Sequence, residues 1–146
     1  MIDILPMTAE DIGAVEQLEK ECFSAPWTRE GIAEELDNPC SHFLCAHCGE
    51  IAGYIGVQEI CGEAYITNIA VFSSFRRRGI ARALLCAACT GAEERGCEFI
   101  TLEVRESNFP AIALYESEGF SKAGIRKNFY SSPAENGIIY TKTFAR

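Results

Sequence analysis

Apolar residues recur along this chain with two periods, and the switches between them mark its elements. Ile2 to Leu5 reads as a short strand, and Thr8-x-x-Asp11, a weak capping pattern, opens a helix with Ile12, Val15, Leu18 and Cys22 on one face. Pro26-Trp27 breaks that helix. Thr28 caps a second one running towards Leu36, which stops at Asn38-Pro39. Phe43 to His47, a Cys-Gly-Glu turn and Ile51 to Ile60 form a predicted hairpin, and Gly62-Glu63 turns the chain into a further strand, Ala64 to Val71.

A long amphipathic helix is predicted from about Gly79 to Arg95, with Ile80, Ala83, Leu84, Ala87 and Gly91 along one stripe and Arg95-Gly96 as its stop. Phe99 to Val104 is the next strand, and a strand-helix-strand series of this length implies a right-handed crossover that sets it parallel to Ala64 to Val71. Ser107 or Asn108 caps a short helix to Ser117, Gly119 ends it, and the strands Phe120 to Arg126 and Ile138 to Phe144 follow. The expected product is one α+β domain over 1–146, with a mixed, mostly antiparallel sheet and helices on both faces.

Between Asn68-Ile69-Ala70-Val71 and the long helix stands Arg76-Arg77-Arg78-Gly79-Ile80-Ala81-Arg82. A glycine-containing loop feeding a helix N-terminus aims free backbone N–H groups at one spot and adds about half a positive charge, so it can cradle a phosphate. A Walker loop needs Gly-x-x-x-x-Gly-Lys-Ser/Thr and a dinucleotide loop needs Gly-x-Gly-x-x-Gly; neither is present. Read alone, the segment also fits an ordinary turn whose arginines are merely solvated.

The net charge of -8 argues against nonspecific nucleic-acid binding, because a phosphate backbone would be repelled, and suits a cationic substrate. No apolar run approaches the roughly 20 residues that span a bilayer, and Met1-Ile2-Asp3-Ile4 lacks the basic start of an export signal. A cytoplasmic protein with no membrane partner is expected. Its eight cysteines then read as reduced thiols rather than a disulfide scaffold. Cys40, His42, Cys45, His47 and Cys48 crowd together, but Cys45 and Cys48 would point to opposite faces of a strand, and Cys86 and Cys89 lie on the helix face away from Ile80, Leu84 and Ala87. Zinc needs four converging ligands, so no metal is expected.

The loop spacing Arg-x-x-Gly-x-Ala resembles the pyrophosphate-binding signature of the GNAT superfamily of N-acetyltransferases, and the order of elements is that of the GNAT (acyl-CoA N-acyltransferase) fold. Leu102-Glu103-Val104-Arg105-Glu106-Ser107-Asn108 and Ala111-Ile112-Ala113-Leu114-Tyr115-Glu116-Ser117-Glu118-Gly119-Phe120 are more specific still, and resemble the RimI-type ribosomal-protein alanine acetyltransferases. The resemblance implies acetyl-CoA as cosubstrate, in a cleft at the parallel strand pair, and the N-terminus of a protein, a ribosomal one, as acceptor. It implies Glu103 as general base, Tyr115 as general acid, and cofactor contacts from Ile69, Ala70, Val71, Arg76, Arg77, Arg78, Gly79, Ile80, Ala81, Arg82 and Asn108. Trp27 and Tyr130 would border the acceptor groove.

The chemistry asks for such a pair. An α-amine of pKa about 8 is largely protonated at pH 7 and must lose a proton before it attacks, while the departing thiolate must gain one. Glu103 lies near the carboxyl end of its strand, where substrates gather in parallel pairs. Without the resemblance, Glu103 reads as an ion-paired carboxylate with Arg105 or a loop arginine as partner, Tyr115 as a packed aromatic, and Trp27 as core. No cysteine has a sequence cue for a lowered pKa, so direct transfer is expected over an acyl-enzyme. The alternatives are an acetyltransferase for a small amine or lysine side chain, and a coenzyme A binding module without catalysis.

Overall fold

In the computed structural model, residues 1–144 are described; the domain reading of 1–146 runs over two further residues that lie outside them. Seven strands form one sheet: β1 (Asp3–Pro6), β2 (Leu44–His47), β3 (Ile51–Ile60), β4 (Glu63–Val71), β5 (Phe99–Arg105), β6 (Ser121–Ser131) and β7 (Ala134–Thr143), in the order β1-β2-β3-β4-β5-β7-β6. All neighbours are antiparallel except β4 and β5. The expected mixed sheet is therefore present, with the last hairpin folded so that β7, not β6, lies against β5.

Helices α1 (Ile12–Cys22) and α2 (Arg29–Leu36) bury Ile12, Val15, Leu18 and Ile32 on one face with Phe43, Cys45 and Tyr54. Helices α3 (Ile80–Glu94) and α4 (Phe109–Ser117) cover the other face, with Leu84, Leu85, Ile100, Leu102, Val104 and Tyr115. The caps act as read: Thr28 Oγ1 accepts from Gly31 N at 3.0 Å, and Asn108 Oδ1 accepts from Ala111 N at 3.3 Å. Among the described residues no helix is long and apolar enough to cross a membrane.

Two expectations change. The buried stripe of α3 is Ile80, Leu84, Leu85, Ala88, Cys89 and Ala92, rotated from the predicted one, so Cys89 faces the core while Cys86 is exposed. A sheet is wide enough to take an extra helical row, and Leu85 outcompetes Ala83 for it because it removes more apolar area from water. β6 also continues to Ser131 rather than ending at Arg126; Asn128 at φ 54° and a register shift between Arg126 and Tyr130 break the alternation by which its length was read.

The feature that positions the site is the divergence of β4 from β5. Their ladder holds only Glu63, Ala64 and Tyr65 against Phe99, Ile100 and Thr101. Beyond it, β4 stays with β3 to Val71 and β5 stays with β7 to Arg105, so the carboxyl ends of the two strands part. A bulge at Thr67 contributes: Gly56 pairs with Asn68 and Val57 with Ile66, which leaves Thr67 unpaired and bends β4.

Candidate active site

Loop 76–79 delivers the chain from β4 to α3 after a short turn over Ser73–Phe75. Gly79 holds φ 77°, and a Cβ there would meet no atom within 4 Å, so the position demands left-handed backbone and leaves open space above it. The first helical bond runs from Ala83 N to Gly79 O at 3.0 Å, and the N–H groups just ahead have no helical acceptor. No acidic side chain occupies the first turn of α3. Negative charge at a helix start is favourable, and the first turn of α3 supplies none of its own, which leaves the position free for an external anion.

The three consecutive arginines separate. Arg76 Nε donates to Val71 O at 3.3 Å, Arg77 sits at φ 65°, and Arg78 turns away to stack its guanidinium 5.3 Å above the Phe75 ring. Arg82 donates to Ser117 Oγ at 3.1 Å and pairs with Glu118, tying α3 to the end of α4.

A cleft of about 800 Å³ opens over this loop. Ile69, Ala70 and Val71 form one wall and Val104, Arg105, Asn108 and Tyr115 the other, with Arg76, Arg77, Gly79, Ile80, Ala81 and Arg82 at one end and Tyr130 next to Arg105. Of the residues singled out from sequence, Arg78, Glu103 and Trp27 do not line it.

Glu103 lies on the far face of β5 from Leu102 and Val104, with its side chain only 8% exposed. Its partner is neither Arg105 nor a loop arginine: Arg126 of β6 approaches Oε1 at 3.1 Å, and the Tyr65 hydroxyl donates to Oε2. Arg105 is taken by Glu135 at 3.2 Å and lies 4.4 Å over the Tyr130 ring. Burial, then the Glu103 carboxylate, raises the Tyr65 and Tyr130 hydroxyls above their usual pKa, so both stay protonated, Tyr65 as the donor to Glu103.

Tyr115 is 5% exposed, its ring 5.8 Å from that of Phe120, and burial followed by Tyr130 raises its hydroxyl pKa. Tyr130 thus feels Glu103 on one side and acts on Tyr115 on the other. The carboxylate and the buried phenol belong to opposite faces of the sheet, and Tyr130 at the cleft interacts electrostatically with both. Gly137 makes room for this: a Cβ there would meet Phe129 at 3.2 Å and Tyr130 at 3.3 Å, so the two rings rest on bare backbone.

Trp27 is partly buried, its ring 5.9 Å from Phe43, as a core residue would be, and its backbone N–H donates to Glu19 at 2.9 Å. Three residues of this region escaped the sequence reading: Tyr65, Arg126 and Glu19. Tyr65 pairs with Thr101, two residues before Glu103, so strand parity puts it on the right face; Arg126 required knowing that β7 separates β5 from β6. Among the described residues no three His, Cys, Asp or Glu side chains converge as metal ligands do.

The sequence matches the model of the acetyltransferase (GNAT) family over residues 12–120. It is 36% identical over 141 residues to the [ribosomal protein bS18]-alanine N-acetyltransferase of Escherichia coli, covering 95% of each chain. It is 37% identical over 140 residues to the protein of that name from Salmonella typhimurium, covering 94% of this chain and 93% of that one. The fold superposes on the crystal structure of the Escherichia coli enzyme with a TM-score of 0.91 at 33% identity, over 100% of this chain and 96% of that one.

Proposed function

The chain belongs to the GNAT family of acetyltransferases, and on that premise we propose that it transfers the acetyl group of acetyl-CoA to the N-terminal α-amine of a protein. The relatives' names supply the acceptor class, an alanine of ribosomal protein bS18, and the proposed acceptor is accordingly the N-terminal alanine of a small-subunit ribosomal protein. One observation carries the reading: a phosphate cradle and a buried phenol line one cleft where two parallel strands part, and the strand on its far wall holds a partnered carboxylate at Glu103.

The residues present fit acetyl-CoA. Backbone N–H groups ahead of Ala83, with Arg76 and Arg77, suit its pyrophosphate; the strand end Ile69 to Val71, exposed to the cleft, suits its pantetheine amides; Asn108 lies on the opposite wall. Acetyl-CoA supplies an activated acyl group and a thiolate leaving group. Glu103, held at both oxygens by Arg126 and Tyr65, takes the proton of the incoming ammonium, and Tyr115 gives a proton to the departing sulfur. Trp27 and Tyr130 are assigned to the acceptor side, Trp27 through its loop. The retention of both Glu103 and Tyr115 argues against a coenzyme A binding module that has lost catalysis.

The test of the acceptor is a short peptide beginning with Ala and containing no lysine. Mass spectrometry is expected to find the acetyl label on its α-amine. Label only on lysine side chains of a control peptide, or only on small amines, overturns the proposal in favour of the other acceptor class.

The test of the cradle is Gly79→Val. A β-branched residue is strained at φ 77°, and its side chain would stand in the open space over the loop N–H groups. Acetyl-CoA affinity is expected to fall at least tenfold, and the thermal shift it gives the native state should shrink accordingly. Unchanged affinity, measured by calorimetry, removes the loop from the site.

A further inference from the structure

Glu19, on α1, is fully buried at 0% exposure, although glutamate is almost never fully buried without partners. Its carboxylate is satisfied by three donors from three other segments: the Tyr54 hydroxyl of β3, Asn68 Nδ2 of β4 at 2.7 Å, and the backbone N–H of Trp27 in the α1–α2 loop at 2.9 Å. A helix needs no carboxylate to adhere to a sheet, as Val15 and Leu18 do so by apolar contact alone. What only an acceptor with several lone pairs can do is gather N–H and O–H groups from separate segments onto one point.

Two of those segments border the cleft. Asn68 immediately precedes Ile69, which lines it, and α1 ends at Cys22 and the α1–α2 loop begins at Phe23, both of which also line it. The same turn of α1 is pinned a second time, by Ser73 N donating to Glu21 at 2.8 Å. The Glu19 bond to Trp27 N folds the loop back over its own helix end, so the loop's path past the cleft is set from inside the core.

We propose that Glu19 is a positioning residue for the acceptor: it fixes the α1–α2 loop to the cofactor-side strand, so that the loop meets the peptide already in its bound path. The inference rests on the acceptor reading above, through the placing of the Trp27 loop at the peptide groove. A loop held in advance loses less freedom on binding, so its release weakens the acceptor more than the cofactor.

The experiment is steady-state kinetics of Glu19→Gln with the Ala-starting peptide and acetyl-CoA. Glutamine keeps the shape but turns one acceptor into a donor facing other donors. The KM for peptide is expected to rise at least tenfold, with KM for acetyl-CoA and kcat at saturating peptide within about threefold of wild type. Tyr54→Phe removes the donor that ties Glu19 to the core and leaves the bonds to Trp27 and Asn68; it should lower the melting temperature without moving the peptide KM. Loss of stability in both variants with both KM values unmoved makes Glu19 a structural strut and overturns the proposal, as does a rise shared equally by the two substrates. Should the glutamine variant not fold, hydrogen exchange on the wild type decides. The Trp27 amide is expected to be protected at least tenfold over an unstructured loop amide in the free enzyme, and exchange at the unstructured rate until peptide is added overturns the proposal. Absence of peptide acetylation by the wild type would strike the acceptor reading instead.

Discussion

Glu103→Gln is expected to lower turnover by roughly 10² to 10⁴-fold at neutral pH, a rise in barrier of about 3 to 5 kcal/mol, with acetyl-CoA affinity nearly unchanged. The affinity is spared because Glu103 does not line the cofactor cleft. Glutamine retains the length of the side chain and an oxygen for the Tyr65 hydroxyl, and loses the charge that Arg126 meets at 3.1 Å. The loss should depend on pH in a definite sense. Near neutrality most of the acceptor amine, of pKa about 8, carries the proton that Glu103 would remove; well above that pH the amine is neutral without help, and the variant should recover part of its rate. A pH series of single-turnover rates reads this directly. Wild-type turnover in the variant, with chemistry rate-limiting, would leave Glu103 as an ion-paired tie between β5 and β6.

Much of the route to this site was legible because local signals and the global fold agree. Thr28, Asn108 and Gly119 mark helix ends by chemistry that needs no tertiary context, and the parallel pairing of β4 and β5 follows from a strand-helix-strand series long enough for a crossover. Gly79 could be read as a special backbone position because few other residues adopt its φ. What stayed hidden depends on neighbours that sequence distance conceals. Arg126 reaches Glu103 only because β7 slots between β5 and β6, and a reading that ended β6 at Arg126 could not place Tyr130 on a strand. Glu19 follows Leu18 on an amphipathic helix with no local sign of burial; its partners Tyr54 and Asn68 are 35 and 49 residues away. The bulge at Thr67 and the parting of β4 from β5 likewise have no local signature, yet they open the cleft.

Tyr115→Phe should separate the acid from the base. The hydroxyl is all that changes: the ring keeps its place against Phe120 and in the core beneath α4, so the fold and acetyl-CoA affinity should hold within about twofold. Turnover is expected to fall by about 10²-fold, the usual scale for removing one positioned proton donor. Burial, reinforced by Tyr130, raises the Tyr115 pKa, so the wild-type phenol remains neutral and able to donate throughout the range in which the acceptor amine titrates. The deficit of the phenylalanine variant should therefore run parallel to wild type across pH 6 to 10, since deprotonating the amine does nothing for the leaving sulfur. That contrast with Glu103→Gln, whose deficit narrows as pH rises, is the signature of two groups dividing the proton transfers. A Tyr115→Phe variant with wild-type turnover, or one rescued at high pH like the glutamine variant, would assign the donor role to another group, and Tyr130, in the same neighbourhood, would be the next residue to replace.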